Sequence, residues 1–382
     1  MGNYTEFEAI YQLQSCNTNV GSTVAKDLET VLVTGGSGFI GANFVRFVLD
    51  ERPALRIINL DALTYAGNPL NLENLVPEAA RRYQFVHGDI RDSRLLDKLF
   101  TANNIGGVIH FAAESHVDRS IVGPEAFVET NVLGTFRLLE AARSAWQGGN
   151  RNSRCRFLHV STDEVYGSLG ETGQFSEETP YDPSSPYSAS KAASDHFVNA
   201  FHRTYDLPTL ITNCSNNFGP YQFPEKLIPL MILNIREKKP LPVYGDGKNV
   251  RDWLYVRDHC EGLLEVFEKG TLGETYNIGG NSEKQNIEVV HLLCDVMDDR
   301  LGRKGNASSR RLIEFVNDRP GHDRRYAINA EKILNQIGWR PRHRFSEAME
   351  ATVDWYLSHM DWVESVRSGE YRRWIEKNYG SR

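Results

Sequence analysis

The chain has 382 residues, and its 43 Lys plus Arg against 50 Asp plus Glu leave a formal net charge of −7. Hydrophobic residues are 40% and charged residues 24%, the balance of an ordinary folded chain, which excludes collagen, coiled-coil and disordered classes. Mild acidity without a long basic run argues against nucleic acid or an anionic membrane as partner, and no apolar run reaches the ~18 residues of a spanning helix.

Residues 1–29 read as an extension ahead of the folded unit. They contain no basic segment followed by an apolar core, so a signal peptide is not expected. Gly2 follows Met1, but Glu6 stands where a myristoylation site needs Ser or Thr. The cysteines at 16, 155, 214, 260 and 294 are odd in number and form no C-x-x-C pair, which fits a reducing compartment and offers no zinc site. The expected location is the cytoplasm.

From residue 31 two patterns alternate. Short β-branched runs predict strands at Val31–Val33, Arg56–Leu60, Gln84–Val86, Gly107–Phe111, Arg156–Val160 and Thr209–Thr212. Between them, helical spacing predicts helices at Phe39–Asp50, Ser93–Thr101, Pro124–Trp146 and Tyr187–Tyr205. Such alternation implies βαβ units, and so a Rossmann-type, doubly wound α/β sheet over residues 30–215. Beyond Gly219 prolines punctuate shorter elements, with helices expected at Val256–Glu268, Asn286–Asp299 and Ser346–His359. Residues 216–382 are therefore expected to form a smaller mixed α/β domain that binds substrate and crosses back to the sheet at least once.

The first strand runs into Thr34-Gly35-Gly36-Ser37-Gly38-Phe39-Ile40-Gly41. Glycines at this turn let a pyrophosphate approach the backbone, and the helix that follows offers unpaired N–H groups to it. Asp61 lies twenty residues past Gly41 at the end of the second strand. A carboxylate there accepts hydrogen bonds from ribose hydroxyls and repels a 2′-phosphate, which favours NAD over NADP. A structural glycine turn is the plain alternative, and the strand–loop–helix–Asp context weighs against it. Asp89 ends the third strand and could meet the adenine amino group, whereas Asp92 fits a helix N-cap better.

Ala112 and Ala113 end the fourth strand with side chains small enough to leave room for a cofactor. A lone histidine such as His116, close by, is more often structural than catalytic. The fifth strand ends in Thr162-Asp163-Glu164, where paired carboxyls are costly unless solvated or functional. Tyr187-Ser188-Ala189-Ser190-Lys191 places a phenol and an ammonium one helical turn apart, an arrangement expected to lower the tyrosine pKa towards that of a base. Gly35–Gly41, Asp61, Asp89, Ala112–His116, Ser161–Glu164 and Asn216-Asn217 each follow a different predicted strand, and in an open parallel sheet those ends share one ligand-binding edge. Arg251, Arg324 and Arg325 have the fork geometry that suits a pyrophosphate, with a solvated surface as the competing reading for the last two.

Together these residues resemble the extended short-chain dehydrogenase/reductases and, within them, the dTDP-glucose 4,6-dehydratases. The matching strings include VTGGSGFIG, LDALTYAGN, GDIRD, HFAAESHVDRS, STDEVYG, PYSASKAASD, NCSNNFGPYQFPEKLIP and DRPGHDRRYAIN, over about residues 30–330. Asp163 discriminates: relatives that decarboxylate sugar nucleotides or dehydrate GDP-mannose resemble Ser-Thr-Ser-Glu here, and epimerases carry neither acid. Phe218 stands where Tyr is familiar and Asn329 where Asp is.

The resemblance implies that Tyr187 takes the sugar C4 hydroxyl proton and that Lys191 holds the nicotinamide ribose. Thr162 would bond the C4 oxygen, Asp163 would protonate the departing C6 hydroxyl, Glu164 would remove the C5 proton, and Asn131 would support the Tyr–Lys relay. The cofactor NAD would be held by Gly35, Gly36, Gly38, Phe39, Ile40, Gly41, Asp61, Thr64, Asp89, Ile90, Ala112, Ala113, Tyr187, Lys191 and Asn217. The nucleotide sugar dTDP-glucose would meet Ser115, His116, Asp163, Glu164, Asn216, Lys226, Leu227, Pro242, Val243, Tyr244, Arg251 and Asn286. The run Asp318, Arg319, Pro320, Gly321, His322 would add to that site. A homodimer through the helices near Val128–Arg143 and Ala189–Tyr205 is expected, and no metal. A UDP-sugar dehydratase, a 4-epimerase and a non-catalytic NAD-binding regulator are the alternatives.

Overall fold

The computed structural model describes residues 30–147, 155–318 and 323–369. The expected extension at 1–29 lies outside the described residues. Six strands follow in chain order: β1 (Thr30–Thr34), β2 (Arg56–Asp61), β3 (Tyr83–His87), β4 (Ile105–His110), β5 (Arg156–Thr162) and β6 (Thr209–Cys214). Each starts within two residues of its predicted start. β1 and β6 are buried along their whole length, which is why they read as continuous apolar or β-branched runs rather than alternating ones.

The rest of the chain adds β7 (Asn216–Phe218), β8 (Leu241–Tyr244), β9 (Val250–Tyr255), β10 (Thr275–Ile278), β11 (Glu283–Gln285) and β12 (Ile313–Val316). The main sheet runs β10-β6-β5-β4-β1-β2-β3, and every pair in it is parallel. The order reverses between β1 and β4, which opens a crevice at their carboxyl ends. One apolar layer joins Phe44, Val45 and Val48 to Leu263 and Phe267 on one face of the sheet. A second, with Leu96, Leu138, Leu139, Val198 and Phe201, covers the other. The later residues build a separate core around Ile228, Met231, Val289, Leu293 and Val353, beside small sheets of β11-β9-β7 and β12-β8.

Helix ends follow the sequence. Asp92 caps Ser93–Ala102 by accepting from the N–H groups of Arg94 and Leu95, as its position suggested. The twenty-residue helix Pro186–Tyr205 opens on a capping box between Ser185 and Ser188, with Pro186 in its first turn. The helix expected over Pro124–Trp146 is interrupted. A π-helical stretch, Val128–Gly134, joins Glu125–Phe127 to Thr135–Gln147. There the Asn131 carbonyl accepts from the hydroxyls of Thr135 and Ser194, which satisfies a group that the widened turn frees. Among the described residues, no helix is long and apolar enough to cross a membrane.

Phe218 is buried in an aromatic cluster with Trp253, Tyr255 and Phe345. Asn329 accepts from the N–H of Glu331 at the start of the helix Glu331–Ile337.

Candidate active site

The carboxyl ends of β1, β2, β4, β5 and β6 frame a cleft of about 440 Å³. Its lining includes Gly35, Gly38, Phe39, Ile40, Gly41, Asp61, Thr64, Asp89, Ile90, Ala112 and Ala113 from the expected cofactor set, and Thr162, Asp163, Glu164, Tyr187 and Lys191 from the expected catalytic set. Ser115, Asn216, Asn217 and Lys226 complete the sequence-derived residues that it brings together.

The glycine loop is shaped for close approach. Gly35 adopts φ +71°, and a Cβ there would lie 2.6 Å from the Ala112 nitrogen. A Cβ on Gly41 would lie 2.3 Å from the Gly35 carbonyl. Only glycine tolerates either position. The helix Phe39–Glu51 has Gly38 as its N-cap, with no side chain capping its first turn, so its free N–H groups remain available to an anion. Gly36 supports the loop from behind, donating its N–H to Asn59 Oδ1 at 3.0 Å. These features fit the pyrophosphate of a dinucleotide.

Asp61 is 7% exposed and accepts from the N–H groups of Ser37 and Leu63, both at 2.8 Å. Burial raises its carboxyl pKa and these two hydrogen bonds oppose the rise. Asp89 accepts from the Arg91 guanidinium and backbone. Burial alone would raise its pKa, but the bonds from Arg91 outweigh it and hold the carboxyl below its ordinary value. Asp61→Ala is expected to weaken NAD binding roughly 10–100-fold, because a hydrogen bond to a charged group contributes about 1.5–3 kcal/mol. Titration calorimetry on protein stripped of nucleotide checks this.

The reactive groups gather where β5 ends. Thr162 is the last strand residue, and the 3₁₀ turn Asp163–Tyr166 follows. Asp163 is 2% exposed, and its Oδ2 has no hydrogen-bond partner. Burial first, then the neighbouring Glu164 charge, push its carboxyl well above the carboxylate range, against a smaller pull from Arg251. Burial rather than repulsion within the pair is the larger cause. Tyr187 is buried at 9% exposure, with the Thr162 hydroxyl as its neighbour.

One expectation is corrected. Lys191 was expected to lower the Tyr187 pKa. Instead burial and then the Glu164 charge raise it well above the ordinary phenol value, and Thr162 supplies the opposing hydrogen bond. The Lys191 ammonium is committed elsewhere: Nζ donates to the Val160 carbonyl at 2.9 Å and lies 3.3 Å from His159 Nε2. Burial draws its own pKa down to about 8, opposed by Asp195. Asp195 is fully buried, 3.1 Å from His159, and accepts from Ser161 and Tyr181. Burial raises its pKa to about 6.

Asn131 does not touch the Tyr–Lys pair directly. It bonds both the N–H and the carbonyl of Glu114 and donates to Ser190 Oγ, so it ties the end of β4 to the helix that carries Tyr187. His116 lies beside the cleft, 3.5 Å from Glu225. Leu227 begins the helix Leu227–Glu237, and Pro242, Val243 and Tyr244 lie in β8 beside β12. None of these four lines the cleft, nor do Asn286 and Asp318.

Arg251 is buried, bonds the carbonyls of Val250 and Asp323, and packs 4.4 Å over the Tyr326 ring. Its charge reaches Asp163. Arg324 pairs with Asp246 on the surface, and Arg325 with Glu283. Arg319, Pro320, Gly321 and His322 lie outside the described residues.

Residue patterns alone missed several groups. Tyr65 lines the cleft with the Arg119 guanidinium 3.7 Å over its ring. Glu225 also lines it. Asp195 had one legible signal, its position four residues after Lys191 on the same helix face.

Residues 32–352 match the family model described as GDP-mannose 4,6 dehydratase. The dTDP-glucose 4,6-dehydratase of Xanthomonas campestris pv. campestris (strain B100) is 57% identical over 347 residues, 90% of this chain and 98% of that protein. The dTDP-glucose 4,6-dehydratase 1 of Escherichia coli (strain K12) is 52% identical, over 92% of this chain and 99% of its own. The crystal structure of dTDP-glucose 4,6-dehydratase from Bacillus anthracis str. Ames in complex with NAD superposes with a TM-score of 0.78 at 46% identity, covering 88% of this chain and 99% of that one.

Proposed function

Because the chain belongs to the dTDP-glucose 4,6-dehydratase family of nucleotide-sugar dehydratases, we propose a role for each group in the cleft in the reaction of that family. The activity is the NAD-dependent dehydration of dTDP-glucose to dTDP-4-dehydro-6-deoxy-glucose. NAD supplies a hydride acceptor for C4 and later a hydride donor for C6. The Gly35–Gly41 loop, Asp61 and Asp89 hold it.

The residue types answer the chemical problem. A C6 hydroxyl beside an unactivated C5–H does not leave readily. Once C4 is a ketone, loss of the C5 proton gives an enolate, so the proton becomes acidic. Tyr187 takes the C4 hydroxyl proton, and Thr162 bonds the C4 oxygen. Glu164 then removes the C5 proton while Asp163 protonates the departing C6 hydroxyl. The carrying observation is Asp163: a buried carboxyl whose pKa burial pushes well above the carboxylate range, next to a second carboxyl and lining one cleft with Tyr187. A 4-epimerase or a binding module has no use for that acid.

Residues 30–215 hold the cofactor and 216–382 mainly hold the nucleotide sugar. Ser115, Asn216 and Lys226 meet the substrate within the cleft, and His116, Leu227, Pro242, Val243, Tyr244, Arg251, Asn286 and residues 318–322 extend the substrate site beyond that lining. The chain works in the cytoplasm as a homodimer. Supporting the dimer, Val128, Leu133, Phe197 and Tyr205 are hydrophobic and exposed on the helices expected to pair. Gel filtration should give the mass of two chains, and a monomer would contradict it. Mass spectrometry of dTDP-glucose after incubation should show loss of one water; the same assay with UDP-glucose tests the base preference.

A further inference from the structure

The proton balance of the reaction leaves the site unready for a second turnover. The C4 hydroxyl proton ends on Tyr187, because the product keeps a C4 ketone. Asp163 ends without its proton, because that proton left in the water. Glu164 is restored when C5 is reprotonated. Each cycle therefore closes only if Tyr187 loses one proton and Asp163 gains one.

Solvent has little direct access to either group while the cleft is filled. Tyr187 is 9% exposed and Asp163 is 2% exposed. Lys191 Nζ donates to the Val160 carbonyl and lies beside His159, with no direct hydrogen bond to Tyr187. Between donor and recipient stands one hydroxyl. The Thr162 hydroxyl neighbours the Tyr187 phenol and draws its pKa down against burial, and Thr162 Oγ1 donates towards Asp163 Oδ1 at 3.4 Å. The Glu164 N–H, 3.3 Å from the same oxygen, fixes the Thr162 side chain in place. A hydroxyl can accept one proton while it releases another.

We propose that Thr162 is the conduit that resets the site, passing the proton from Tyr187 to Asp163 so that the two share one mobile proton. The Tyr187 O–H bond breaks as Thr162 Oγ1 gains that proton. The original Thr162 proton moves to Asp163 Oδ1. Tyr187 is left ionised and Asp163 neutral, with no net charge moved to solvent. This inference rests on the roles given above to Tyr187 and Asp163, and adds a second task for Thr162 after the C4 oxygen has been oxidised.

The test compares the first turnover with those that follow. Thr162→Val keeps the side-chain shape and removes the hydroxyl. Rapid quench should show a first turnover slowed by the lost bond to the C4 oxygen, then later turnovers slower than that first one by roughly 10²-fold or more, the scale of one lost proton-transfer group. Added imidazole, a small proton carrier, should speed that steady state in proportion to its concentration and leave the unsubstituted enzyme unchanged. Thr162→Ser should restore the steady rate. Retained NAD binding by the Val variant shows that it is folded.

If the first and later turnovers fall by the same factor and imidazole has no effect, Thr162 serves only the C4 oxygen and the conduit is wrong. Failure of the roles beneath it would look different, because Asp163→Asn would then leave the first turnover intact.

Discussion

Tyr187→Phe stops turnover before water is lost. The substitution removes one oxygen from a buried ring that packs edge-on against Phe127, so the fold should persist and NAD should still bind. What disappears is the group that receives the C4 hydroxyl proton, and a lost general base costs roughly 10²–10⁴ in rate. Because oxidation comes first, no reduced cofactor should appear at 340 nm, and neither ketone nor water should form. Near-normal turnover would remove Tyr187 from its role. Burial and the Glu164 charge raise the Tyr187 pKa, so its base form becomes available only as the pH rises. The rate of the first step should accordingly rise with pH, and the Phe variant should have lost that dependence.

Asp163→Asn and Glu164→Gln should spare the first step and block the second. Both changes keep shape and hydrogen bonding but cannot move a proton. Each should lower water loss by roughly 10²–10⁴, and reduced cofactor should accumulate in a single-turnover trace. Asp163→Asn also removes a buried carboxyl with an unpartnered Oδ2, so the variant is expected to be no less stable to heat than the unsubstituted protein. Equal loss of oxidation and elimination would mean that the pair orients substrate rather than dividing acid from base.

Much of this was legible in the sequence because it is local. The Gly35–Gly41 turn, the Asp92 cap and the Tyr187–Lys191 spacing each depend on neighbours within one turn, and the parallel alternation of strands then places their ends on one edge. Less legible was whatever depends on the far side of a side chain. The sequence puts Lys191 beside Tyr187, but the Val160 carbonyl, His159 and Asp195 decide where its ammonium points. Spacing shows that Asp163 and Glu164 are adjacent, whereas only the enclosing fold reveals that burial outweighs their repulsion.

The π-helical stretch at Val128–Gly134 was read as continuous helix because its extra residue leaves the apolar pattern nearly intact. Tyr65 and Arg119 come from different crossovers and meet only in three dimensions. Beyond Gly219 the division blurs. The helix Val256–Lys269 packs on the nucleotide-binding sheet, and β10 joins that sheet as an edge strand.

The central claim is that hydrogen leaves C4 and returns to C6 within one site, while C5 exchanges with solvent. Substrate deuterated at C4 tests it directly. The product should carry that deuterium in its C6 methyl group, and unlabelled substrate in D₂O should gain deuterium at C5 through Glu164. Deuterium washed out to water, or retained at C4 in a product with its C6 hydroxyl intact, would contradict the account.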